Sequence, residues 1–403
     1  ARHKRTHGAL FAPNSTAMAD SAPAVPERNP LLLFCYASLF AFWLGSYFVL
    51  IPVWVNVLSQ TFCIIYVGSC HSLTQLNKKL EQSQAEDKRD EGDQPMTAKD
   101  AAWFPIYGSF MLFSLYIAFK YFDKDAVNLL LAVYFSLIGV FTLAGLLDKG
   151  LMASLMGTDA KSPRYGFELK LPYLGDLGGK FTVSEYVSAL PALALAATYF
   201  KTKHWLLNNL LGIAFSVNGI EAISIGGYKV GAILLGGLFF YDIFWVFGTS
   251  VMVSVAKGVD GPIKILFPRV LKEGDTPAEF SMLGLGDIVI PGIFIALILR
   301  FDAMRALSKM GQEVKKVSAR TTFPAPTFFP TMISYSLGLG CTLFVMFYFD
   351  AAQPALLYLV PACLLSSMGV ALLGGYTKEL LAYSEEEEED ATKQAKAQEG
   401  KSD

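Results

Sequence analysis

Runs of about twenty mostly apolar residues, the length a helix needs to cross ~30 Å of hydrocarbon, recur along this chain and dominate what it can become. They fall at 103–122, 127–147, 184–200, 205–223, 230–255, 279–300, 329–349 and 355–374. Ahead of them lies a stretch from Asn29 to Asn77 without Asp, Glu, Lys or Arg, interrupted by Pro52, Asn56 and Gln60. It is long enough for one span plus an interfacial piece, or for two short spans. The expectation is an all-α polytopic membrane protein with nine or ten crossings. Composition agrees: 53% of residues are hydrophobic and 17% charged, against about 25% charged in soluble domains.

The same figures exclude other classes. A net charge of −2 offers no basic excess for phosphate contacts, so no nucleic-acid partner is expected. The five cysteines (Cys35, Cys63, Cys70, Cys341, Cys363) are scattered through apolar stretches without a CxxC and read as buried small hydrophobes. Of the four histidines, only His3 and His7 have i, i+4 spacing, in a polar stretch, so neither a metal nor another cofactor is expected. Residues 1–29 read as a flexible polar segment, with Met18 a candidate start. Residues 30–374 read as the membrane-embedded domain. Residues 375–403, with the acidic run Glu385 to Asp390, read as a disordered tail. Polar residues within the spans (Asn208, Asn209, Asn218, Glu221) read as hydrogen-bonding glue between helices.

An ionised side chain costs at least ~2.5–3.5 kcal/mol at the bilayer centre. Two carboxylates nevertheless fall inside the apolar runs: Asp242 after Tyr241, and Asp287 at the end of Gly284-Leu285-Gly286-Asp287. Taking both runs as continuous helices, Asp242 lies about 18 Å and Asp287 about 12 Å from the same membrane face, within the middle third of the bilayer. Pro291, four residues after Asp287, removes the backbone donor to the Asp287 carbonyl. Gly284 and Gly286 allow another backbone to come close. Gln353 and Pro354 place a short non-helical strip before the last span. Geometry alone leaves proteolysis and proton-coupled transport both open, as each uses intramembrane carboxylate pairs. A non-catalytic scaffold for degrading membrane proteins is a third reading.

Three motifs in order, Tyr241-Asp242, Gly284-Leu285-Gly286-Asp287 and Gln353-Pro354-Ala355-Leu356, resemble those of the signal peptide peptidase family, the presenilin-related GxGD intramembrane aspartyl proteases. The likeness extends over about 100–380 and includes Lys203-His204-Trp205 and Asn208-Asn209. It implies nine transmembrane helices, a lumenal N-terminus, a cytosolic C-terminus and residence in the endoplasmic reticulum membrane. Basic loop residues, counted for nine spans, favour that orientation by seventeen to twelve. The resemblance also implies that Asp242 and Asp287 are catalytic, sharing one proton and activating water. Tyr241, Gly284, Leu285, Gly286, Gln353, Pro354, Ala355 and Leu356 are implied to bind substrate. Implied partners are membrane-spanning peptides (signal-peptide remnants and type II segments) in a lipid bilayer, with a homo-oligomer left open.

Overall fold

The computed structural model describes residues 29–84, 95–157, 162–163, 165–171, 175–270, 279–310, 317, 319–349 and 353–385. The expected N-terminal segment (bar Asn29) and most of the acidic tail lie outside them. The chain begins with α1 (Pro30–Phe48), α2 (Val53–Gln84), α3 (Ala98–Tyr121) and α4 (Lys124–Leu147), which runs through a π-turn into the short α5 (Ala153–Met156). A hairpin of β1 (Tyr165–Leu171) and β2 (Gly175–Phe181) leads to α6 (Val183–Thr202), α7 (Trp205–Ala222), α8 (Tyr228–Phe247) and the short α9 (Val251–Gly258). A second hairpin, β3 (Lys264–Val270) and β4 (Glu279–Gly284), feeds α10 (Gly286–Met310), α11 (Phe328–Phe349), α12 (Leu356–Leu373) and α13 (Thr377–Ala382).

Helix starts follow local chemistry. Asn29 caps α1 with Pro30 at its first position, and Thr97/Asp100 and Thr182/Glu185 form capping boxes at α3 and α6. Among the described residues, eight helices (α1, α2, α3, α4, α6, α8, α11, α12) are long and apolar enough to cross a membrane. The similarly long α7 and α10 are more polar and sit inside, packed with α2 and on one another. Polar groups thus collect on inner helices: Asn56, Gln60, Ser69 and His71 on α2, Asn208 and Asn209 on α7, Arg300 and Asp302 on α10, all buried. The outer helices present Phe110, Leu130, Leu190, Phe344 and Leu365 outward. This distribution spares polar groups contact with hydrocarbon.

Four expectations change. The stretch Asn29–Asn77 is not one of them: of its two readings it takes the two-helix one, α1 and α2, giving ten helices of 18 residues or more among the described residues, a count that does not itself yield nine spans. The run 230–255 is broken at 248–250, between α8 and α9. The first six residues of the run 279–300 form β4, not helix, and the two hairpins add strands to an otherwise helical protein. The boundary at 375 falls too early. Tyr376 joins the hydroxyl of Thr327, α13 follows, and Glu385 pairs with buried Arg300 at 2.7 Å while its N–H donates to the Gly226 carbonyl. Cys341, read as buried, is exposed on α11.

Successive long helices alternate in direction. At one end of the bundle, Met96 pairs with Ile225, and Tyr383–Glu385 is laid against Gly226–Tyr228. Asn29 stands at this same end, where it binds Tyr66 and shares a cavity with Leu299 and Phe328. The start of α1 and the C-terminal segment are therefore on one side of the bundle. The opposite end carries α9 and the β3–β4 hairpin.

Candidate active site

Asp242 lies on α8 five residues before its end, about 8 Å at helical rise, and Asp287 is the second residue of α10. Because α8 ends early and α10 starts late, both carboxylates stand nearer the β3–β4 end of the bundle than continuous helices had suggested. Their levels still agree. Helices α8, α10 and α12 pack on one another, which brings the C-terminal part of α8 and the first turn of α10 to the same end of the bundle. Asp242 is buried, whereas Asp287 is partly accessible.

The N-terminus of α12 meets Asp242. Its capping residue, Ala355, has no side chain to accept the first N–H groups. The Leu356 N–H instead donates to Asp242 Oδ2 at 2.9 Å, the usual solution where a helix start faces an anion. The Gln353–Leu356 motif is thereby joined to Tyr241–Asp242 by a direct bond. Gln353 is half-buried, and Pro354, Ala355 and Leu356 are buried.

At Asp287 the expected loosening of the helix is resolved by a partner that the sequence did not reveal. Pro291 cannot donate to the Asp287 carbonyl, and Tyr335 of α11 does so through its hydroxyl at 3.1 Å. Tyr335 is fully buried. Gly284 ends β4 within reach of the Asp287 carboxylate, as a Cβ there would lie 3.5 Å from Oδ2. Leu285 N donates to the Ile263 carbonyl, continuing the hairpin one step past β4. Gly286 is exposed beside it. Tyr241 points elsewhere: its ring faces Gly108 of α3 and lies 6.4 Å from Trp245, whose Nε1 donates to Ser109. It packs α8 against α3.

The β3–β4 hairpin beside the site is antiparallel, with Lys264 opposite Gly284, Ile265 opposite Leu283 and Leu266 opposite Met282. In such a ladder alternate residues turn their N–H and C=O away from the partner strand. On β3 the outward residues are Lys264 and Leu266, because Asn208 Nδ2 donates to the Lys264 carbonyl, and Asn209 both donates to and accepts from Leu266. On β4 the outward residues are then Met282 and Gly284. The Lys264 ammonium donates to the Ala256 and Val259 carbonyls at the end of α9, and burial holds its pKa below the ordinary lysine value.

Two acids on neighbouring, packed helices of a membrane bundle, with no Ser–His or Cys–His arrangement beside them among the described residues, suit an intramembrane aspartyl protease. Comparison with known proteins agrees. The family model described as signal peptide peptidase matches residues 86–387. Signal peptide peptidase of Mus musculus is 42% identical over 75% of this chain and 78% of its own length, and that of Homo sapiens 41% over 76% and 78%. A probable intramembrane protease of Schizosaccharomyces pombe is 36% identical over 77% of this chain and 92% of its own. The chain belongs to the signal peptide peptidase family and is a multi-pass intramembrane protease. The matched region starts beyond α1 and α2.

Proposed function

We propose that Asp242 and Asp287 are the catalytic pair. Like-charge repulsion in a low-dielectric site leaves two adjoining carboxyls with one proton between them. The ionised member takes a proton from a water held between them as that water attacks the scissile carbonyl. The protonated member polarises the carbonyl and then supplies the leaving amine with its proton. The observation that carries this reading is the packing of α8, α10 and α12 on one another, with the Leu356 N–H at the start of α12 donating to Asp242.

A helical substrate hides its amides in internal hydrogen bonds and has to unwind before attack. The outward N–H and C=O groups of Met282 and Gly284 on β4 offer an unwound segment a strand to pair with, two residues from Asp287's own turn. Gln353–Leu356 closes the other side of Asp242, and Leu285 and Gly286 complete the approach. Tyr241 acts by packing α8 on α3. The substrates proposed are signal-peptide remnants and type II membrane segments, in the endoplasmic reticulum membrane, with self-association compatible.

The C-terminal segment is proposed to face the cytosol. If α1 and α2 both cross, the start of α1 at Asn29 and Pro30 faces that side too, not the lumen as nine crossings required. Basic residues outside the tail then divide twenty-one to eight in favour of the cytosol, a stronger positive-inside bias than nine spans give.

The test is reconstitution in liposomes with a signal-peptide substrate. Wild type cleaves it, and Asp242→Ala and Asp287→Ala each lose at least about a thousandfold in rate while remaining inserted. Retained turnover by either purified variant refutes the pair.

A further inference from the structure

A two-stranded hairpin has two outer edges, and either accepts a further strand. Here the edges differ. Along β3 the outward groups are already taken. The carboxamide of Asn209 donates to the Leu266 carbonyl at 2.7 Å and accepts from the Leu266 N–H at 2.8 Å, while Asn208 donates to the Lys264 carbonyl at 2.8 Å. A carboxamide is the same chemical group as a peptide bond, so Asn209 satisfies Leu266 as a neighbouring strand would. Both asparagines are about 5% exposed or less, and they project from α7, an inner helix held against α2 and α10. The hairpin is further pinned by Ile265 and Phe267, both fully buried, and by the Trp205 ring 5.5 Å from Phe280. Along β4, Met282 is 48% exposed and no such side-chain cover is recorded among the described residues.

We infer that Asn208 and Asn209 are positioning residues of the protease: they occupy the β3 edge as a substitute strand, so that an unwound substrate segment adds to β4 and in one register. This rests on the strand-addition reading above. The register follows from the ladder. With Lys264 and Leu266 fixed to α7, Leu283 is held paired with Ile265, and the groups offered outward are those of Met282 and Gly284. A slip of the hairpin by one residue would turn Leu283 outward and present the substrate's scissile bond to Asp287 out of phase. Structural glue between α7 and the hairpin would involve the same bonds, but it would not govern which peptide bond is cut.

The experiment uses the full chain in liposomes with one synthetic signal peptide. Active sites are counted by titration with a hydroxyl-containing peptide isostere, and products are identified by mass. Per titrated site, Asn209→Leu should raise KM by about fivefold, the factor corresponding to the loss of one net hydrogen bond between the substrate and β4. It should also spread cleavage from the wild-type bond to neighbouring bonds. Asn208→Leu, which removes one bond instead of two, should do the same to a smaller degree, and it decides the matter if Asn209→Leu yields no titratable sites. Cleavage at the wild-type bond alone, with wild-type KM, overturns the proposal. Substrates N-methylated at successive positions test the underlying reading on the wild-type protein, where strand addition makes every second position sensitive. Uniform insensitivity there removes strand addition itself. Alternating sensitivity with unspread cleavage in the variants removes only the role of the asparagines.

Discussion

The fate of a single carbonyl shows how the site is held. Pro291 denies the Asp287 carbonyl its helical donor, and the Tyr335 hydroxyl replaces it from another helix. An unpaired buried carbonyl costs about 1–3 kcal/mol, so Tyr335→Phe should loosen the first turn of α10. We predict a kcat reduced by about tenfold with KM little changed, as expected when only the reacting geometry suffers. An unaltered kcat at equal active-site concentration would show that the bond does not orient Asp287. The two acids were legible in sequence because carboxylates inside apolar runs are conspicuous, and Pro291 announced a carbonyl in need of a partner. Tyr335 was not legible. It lies 48 residues away in an apolar run, and no local pattern separates it from the other aromatic residues of such runs. For Tyr241, adjacency to Asp242 leaves orienting the acid and plain aromatic packing equally open; neighbouring residues on a helix point about 100° apart, and its ring lies against Gly108 of α3.

Between elements, the inner helices meet through missing side chains. Ile220 of α7 is wedged between Gly68 of α2 and Gly292 of α10. A Cβ on Gly68 would lie 2.8 Å from Ile220 Cβ, and one on Gly292 would lie 2.5 Å from Ile220 Cδ1. Close approach through small residues is how membrane helices gain contact without a hydrophobic force between them. Gly68→Ala should therefore lower the Tm, with an overpacking cost of about 1–3 kcal/mol. Ile220→Ala in the same chain should recover part of that loss, and strictly additive Tm changes would argue against the wedge. Apolar length predicted the eight long helices from α3 to α12 and left one or two for the stretch before them. The hairpin β3–β4 escaped notice. Pro268 sits inside β3 and counts against a strand. β4 is continuous with the apolar run of α10, and six residues do not reveal a change of period. For Asn208 and Asn209, sequence alone indicates only helix-to-helix hydrogen bonding, because the edge they cover belongs to a strand without a sequence signal.

For the molecule as a whole, the sequence fixes many crossings but not their parity. The short break at 49–52 turns one long apolar stretch into the α1–α2 hairpin, and that turn brings the start of α1 to the end of the bundle occupied by Glu385 and Arg300. Single-cysteine tags before Asn29 and after Glu385 should react with an impermeant reagent from the same side of sealed microsomes. Reaction from opposite sides would mean that α1 does not cross. The bundle's task in this account is to keep two acids together where water is scarce and to deliver an unwound peptide to them. The most direct test of that claim is the pH dependence of kcat/KM for the reconstituted protein. A pair sharing one proton has no base when both acids are protonated and no acid when both are ionised. A bell-shaped profile is expected, with both limbs removed in Asp242→Asn and Asp287→Asn. A rate that keeps rising into alkaline conditions, or a variant that retains the wild-type profile, would contradict it.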